Sequence, residues 1–325
     1  MNALRWVLRL GGILVFAILM GIPLDASAQS GEGESQPKRP VLGDHRFIPN
    51  NNTRDPFPRT YVRNSLGIGQ AVDIEFLPSL DIGGGDTIPG LSGDLLFAVL
   101  DFEYQHRVKD WMAVWGKVNM LGRLGTNVGA LLSEGATVLT GFELGWLIRL
   151  VENDKVALSA TANLWNNSFT GVNFADWVVG IVDNEPVPLV RKVPSVRAGG
   201  GLRFAWAASD LIGVTAGTEL GFGESVARRD EDQVSFQLSG AVDLDLYART
   251  RVPLGFALGF EATNSPREGG ELTDKVNKGL FRLAYTGRDD FVIALDATFS
   301  RVSFTTDAEQ DISSGSIVMN MRYYF

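Results

Sequence analysis

The residues able to do chemistry in this chain are few in kind. It has two histidines and no cysteine in 325 residues, so thiol nucleophiles, thiolate metal sites and disulfides are excluded. His45 lies in an irregular, Pro-rich stretch, and His106 sits beside the Lys109-Asp110 turn. Neither falls where a Ser or Asp would complete a hydrolytic group at an outer rim. Gly83-Gly84-Gly85 has no helix after it and reads as a flexible tip, not a phosphate cradle. The alternating Asp307, Glu309 and Asp311 read as a solvated acidic loop. The expectation is therefore no catalytic residue, no cofactor and no metal. What remains is a large set of charged side chains at alternate positions: Asp101, Glu103, Lys117, Arg123, Glu143, Arg149, Arg197, Arg203, Glu219, Asp243, Asp245, Arg249, Glu261, Arg282, Asp296 and Arg322. Acids and bases nearly balance. Such a set suits the lining of a water-filled channel, where opposed rings of charge set ion preference. It equally suits an interior that pairs its charges and locks shut.

These residues need elements that turn every second side chain to one face, which is what a β-strand does. Val234, Phe236, Leu238, Val242, Leu244 and Leu246 share one parity, while Ser235, Gln237, Ser239, Asp243 and Asp245 share the other. Phe142, Leu144, Trp146 and Ile148 oppose Glu143 and Arg149 in the same way. Twelve such strands are expected, near 64–77, 95–108, 111–124, 136–152, 156–169, 195–208, 211–222, 233–248, 254–262, 278–286, 291–305 and 315–325. Short turn clusters such as Asn153-Asp154-Lys155 alternate with long polar segments such as 78–94 and 263–278. Strands of about ten residues or more cross a bilayer when tilted, and aromatics gather toward the strand ends. The fold class expected is all-β: a transmembrane antiparallel up-and-down β-barrel of about twelve strands over residues 61–325. Eight strands are filled by their own side chains and sixteen leave a channel, so twelve settles neither case. Small inward residues (Gly199, Gly201, Gly213, Gly217, Gly221, Gly255, Ala257 and Gly259) favour some open space.

The last strand carries a more specific signal. Ile317, Met319, Met321, Tyr323 and Phe325 share one face, and Ser316, Asn320, Arg322 and Tyr324 the other, with Val318 the apolar exception. This resembles the closing strand of Gram-negative outer-membrane β-barrels, which ends on an aromatic residue. The resemblance implies that Met321, Tyr323 and Phe325 are read by the barrel-assembly machinery. It also implies outer-membrane lipids as surroundings and small solutes as cargo, in a porin-like passive channel. A structural or surface-binding barrel with a closed lumen is the alternative. Closure requires this strand to meet the one near 64–77, where Gln70 breaks the outward apolar pattern.

Outside the barrel, residues 1–28 have the form of a cleaved signal peptide: Arg5 and Arg9, an apolar run, then Ala26-Ser27-Ala28. Residues 29–60, broken by five prolines from Pro37 to Pro58, read as an irregular periplasmic tail or a small plug, with the tail favoured. The net charge of −9 argues against nucleic acid as a partner. One long segment, 172–194, is apolar for a loop, with Phe174, Trp177, Ile181 and Leu189. It suggests a constriction or lid that admits hydrophobic solutes.

Overall fold

The structure is a computed structural model that describes residues 39–77, 80–81, 87–88, 91–125, 136–172, 190–224, 232–264, 273–304 and 310–325. The expected signal segment, residues 29–38, the 173–189 part of the apolar loop, and Asp307 with Glu309 lie outside the described residues. No described helix is long and apolar enough to cross a membrane, which says nothing of crossing by strands.

Alternation becomes a closed sheet. A short hairpin, β1 (Val41–Leu42) and β2 (His45–Arg46), comes first, followed by the long strand β3 (Tyr61–Leu77). A second small hairpin, β4 (Leu80–Asp81) and β5 (Thr87–Ile88), stands in the loop before β6 (Leu91–Lys109). Then come β7 (Met112–Gly125), β8 (Ala136–Glu152), β9 (Val156–Val172), β10 (Val190–Ala207), β11 (Ile212–Glu224) and β12 (Asp232–Asp245). A single helical turn, α1 (Tyr247–Thr250), leads to β13 (Leu254–Thr263), β14 (Thr273–Tyr285), β15 (Phe291–Phe304) and β16 (Gln310–Tyr324). β3 and β6 to β16 form one closed barrel of twelve strands, every neighbour antiparallel and sequential. The expected fold class and strand count are what the structure shows.

The parity expected from the sequence is the parity of the wall. On β15 the outward Phe299 is 68% exposed, while Asp296, three residues earlier and inward, is fully buried. Along β12, Val234, Phe236, Leu238 and Val242 are exposed, and Ser235, Ser239, Asp243 and Asp245 are buried. A closed sheet has no edge to cover, so all the ladder hydrogen bonds are used internally. The seam is regular where it had looked weakest: β16 pairs with β3 from Ser313↔Val72 to Tyr324↔Tyr61. Gln70 does face outward, and its amide donates to Asp94 Oδ2 at 3.1 Å.

Two boundaries differ from expectation in an informative way. Residues 190–194 belong to β10 and pair with β9 as far as Val190↔Val172. The apolar loop is therefore shorter than 172–194, because Val190 and Val193 extend a strand instead of a lid. Thr273–Lys278 likewise belongs to β14, where Glu261 opposes Lys278. Polar residues near a strand end read as loop in the sequence, yet they serve equally well as the inward parity of a longer strand.

Candidate functional site

The interior is built from the wall inward. At the short-turn end, the β1–β2 hairpin lies across the barrel mouth. Arg39 donates to the Thr286 carbonyl at 3.1 Å and to Asp245 Oδ2 at 3.2 Å, both sides of that ion pair being fully buried. Thr286 Oγ1 donates to the other carboxylate oxygen at 2.9 Å. Two residues earlier on β12, Asp243 Oδ1 lies 2.7 Å from His45 Nε2, and His45 Nδ1 lies 3.2 Å from the Asp210 carbonyl oxygen. Arg46 reaches the rim to pair with Asp289. Below the hairpin, Leu42, Phe47 and Phe57 pack on Ala157, Ala205 and Ala207. Ile48 packs with Tyr61, Ala284, Val292, Ala294 and Tyr324.

Residues 39–60 are thus an inner segment seated in the barrel, not a tail hanging from it. Its polar part, Asn50 to Asp55, reaches deeper. Arg54 forms a two-pronged pair with Glu143, at 2.8 and 2.7 Å, and lies 3.3 Å from Glu103. Burial works against the Arg54 charge, but Glu143 and then Glu103 outweigh it and hold its pKa above an arginine's ordinary value. Asp55 accepts from Arg322 at 2.7 Å. Asn51 donates to Asp296 at 3.2 Å and accepts from Arg63 at 3.2 Å. Asp296 is shared further, with Arg282 through two 2.6 Å bonds and with Asn320 at 2.6 Å. The pairs made by Arg63 and Arg322 have a physical cause in the seam. Arg63 and Arg322 stand directly opposite across β3 and β16, and like charges facing each other are destabilising. Glu103 (2.9 Å from Arg63) and Asp55 each neutralise one of them.

Other inward charges pair between neighbouring strands of the wall. Lys117 meets Asp101 at 3.6 Å, and Lys278 meets Glu261 at 3.4 Å. Arg197 Nε donates to the Glu224 carbonyl at 2.9 Å, and Arg123 is half-buried on the inward parity. Glu219 accepts from Asn163 at 3.0 Å. Arg203 is buried with its guanidinium over the Trp115 ring, 4.6 Å from the centroid. Fourteen of the sixteen expected lining residues are therefore on the inward face below the rim. Arg149 is at the short-turn rim, paired with Glu152 at 2.6 Å. Arg249 is a correction: it lies exposed on α1, outside the wall, because the chain turns helical before that position. At the chain end, Tyr323 and Phe325 are exposed on the outer face and meet edge-on at 5.0 Å, with Met321 half-buried beside them.

The small inward residues are a second correction. They were read as open space, yet several are contact surfaces. A side-chain carbon on Gly213 would strike His45 and Phe47, one on Gly255 would strike Ile48, and one on Gly199 or Gly221 would strike the Trp165 ring. Large groups from elsewhere use the room these glycines leave. His45, Arg39, Arg54 and Asp55 had no periodic pattern to reveal them. Trp115 did have a signal, since it shares inward parity with Lys117 and Arg123.

No family model matches the chain, and no curated protein matches its sequence. Among solved structures it is similar to the Pseudomonas putida toluene transporter TodX, with TM-score 0.45 and 12% identity over 82% of this chain and 90% of that one. The translocator domain of the autotransporter NalP from Neisseria meningitidis gives 0.45 and 9% identity over 84% of this chain and 90% of that one. The KdgM porin gives 0.39 and 10% identity over 80% of this chain and 99% of that one. Likeness at this level carries no conclusion about solute or partner.

Proposed function

We propose that the chain is an outer-membrane β-barrel of Gram-negative type that passes small polar solutes passively, with residues 39–60 narrowing the route at the short-turn side. The observation that carries this is inverted polarity in a closed barrel. The outward side chains are large and apolar, among them Leu66, Ile68, Leu220, Phe222, Leu258 and Phe299, whereas buried Asp, Glu and Arg face inward. A soluble barrel has the opposite need. A belt of this kind is stable in lipid, and a closed antiparallel barrel satisfies every backbone group there. Export through a cleaved signal peptide at residues 1–28, delivery to the assembly machinery through Met321, Tyr323 and Phe325, and a lining role for the fourteen inward charges belong to the same proposal. No catalytic role is assigned. His45 is engaged with Asp243, and His106 is exposed on the outer face beside Tyr104.

A second reading, a structural barrel with a closed lumen, draws support from the density of buried pairs around residues 39–60. Planar-bilayer recording of the purified protein separates the two. Discrete conductance steps are expected, and silence across the voltage range would establish the closed barrel instead. The hydrophobic-solute variant rests on the apolar loop, whose residues 173–189 lie outside the described residues.

A further inference from the structure

The inner segment is held in two different ways. Its flanks, through Leu42, Phe47, Ile48 and Phe57, are seated on apolar clusters. Its tip, Asn50 to Asp55, meets the wall through polar groups, and Arg54 is 12% exposed, where Arg39 is fully buried. The receptor around Arg54 belongs wholly to the barrel. Glu103 on β6, Trp115 on β7, Glu143 on β8 and Asn163 on β9 are inward residues of four consecutive strands. Glu143 presents both oxygens to the guanidinium plane, Glu103 takes a third contact, and the Trp115 ring lies 5.2 Å from the Arg54 guanidinium carbon. Two carboxylate edges and an aromatic face are the chemistry that selects a planar guanidinium.

The receptor is also positioned without its occupant. Trp115 Nε1 donates to Glu143 Oε1 at 3.3 Å and Asn163 Nδ2 to the same oxygen at 3.0 Å. Tyr61 donates to Glu103 Oε1 at 2.6 Å, and Arg63 to Oε2 at 2.9 Å. Groups oriented in advance bind at a lower ordering cost.

We propose that Glu103, Trp115 and Glu143 form a binding site for guanidinium-bearing solutes, which Arg54 occupies at rest and which an entering solute takes by exchange. The passage half of this rests on the channel reading above; the binding half does not. The test uses agmatine as the probe and glutarate as the anionic control, with the full chain in detergent and in liposomes. Calorimetry on Arg54→Ala should show agmatine binding that weakens about tenfold or more in Arg54→Ala with Glu143→Gln. Equal binding by both would overturn the site. The chain has no cysteine, so Thr53→Cys with Arg54 intact carries a sole thiol. Agmatine, and not glutarate, should speed its labelling by a maleimide several-fold. An unchanged rate would make Arg54 a fixed anchor and overturn the exchange, even if Arg54→Ala fails to assemble. Agmatine binding without agmatine flux into liposomes would overturn the passage reading alone.

Discussion

Two regions of this molecule, the wall and the inner segment, hold the inward charges differently. Some of those charges pair across neighbouring strands of the wall, as in Lys117–Asp101, Lys278–Glu261, Arg63–Glu103 and Arg282–Asp296. Others pair with residues 39–60: Asp245 with Arg39, Glu143 with Arg54, Arg322 with Asp55. A pair within the wall stays with the wall whatever the inner segment does. A pair between wall and segment exists only while the segment is in place. The difference teaches that one set of wall charges is built around an occupant, and the other is built to stand without one.

The largest test of that contrast is deletion of residues 39–60. Unit conductance should rise several-fold and favour cations, because Asp245 and Glu143 then face the lumen without their arginine partners. Unchanged conductance would mean that another part of the barrel limits passage. Next, Asp55→Ala leaves Arg322 buried opposite Arg63. Removing one partner of a buried pair costs about 3–5 kcal/mol, so the barrel should unfold at clearly lower denaturant, read from the shift between heated and unheated gel bands. Replacing Phe325 with Asp puts a charge on the outer face at the chain end. The folded, heat-modifiable species should fall in outer-membrane fractions, and normal insertion would remove the terminal strand as an assembly signal. A smaller effect is expected from Gly213→Val, which drives a side chain into His45 and Phe47. Overpacking of this kind costs about 1–3 kcal/mol, whereas Gly279→Ala, with nothing within 4 Å of the new carbon, should be near neutral. Smallest is Lys117→Ala. Its pair with Asp101 is looser, 3.6 Å apart with Lys117 16% exposed, against 2.7 Å and 3% at Arg322, so a smaller loss than at Asp55 is expected in the same unfolding assay. Similar losses at the two positions would erase the distinction between the two sets of pairs.

The wall was legible because its signal is local and repeated. Each strand declares its own parity, and in β12 Ser235, Ser239, Asp243 and Asp245 separate from Val234, Phe236, Leu238 and Val242 without reference to any other strand. An even number of strands with short and long connections alternating then leaves an up-and-down barrel as the arrangement to test. Strand ends were less legible. Thr273 to Lys278 and Val190 to Pro194 carry no parity distinct enough from a loop, and pairing with a neighbour is what makes them strand. The glycines misled for a related reason. A missing side chain looks like space until the partner that fills it is known, and for Gly213, Gly255 and Gly221 the partners are His45, Ile48 and Trp165. Arg249 misled because parity was carried past the point where the strand ends.

The sequence by itself determined the closed wall: twelve strands, which side chains face in, and a terminal strand able to meet the first. Period-two patterning needs no distant information, since each residue's face follows from its neighbour's. Only the tertiary structure decided what the lumen contains. Arg39 meets Asp245 across 206 residues and Asp55 meets Arg322 across 267, and residues 39–60 have no period that could announce either contact. Pairing of consecutive strands brings Glu103, Trp115 and Glu143 onto one inner surface, and the barrel closed around residues 39–60 gives Arg54 a place to bind.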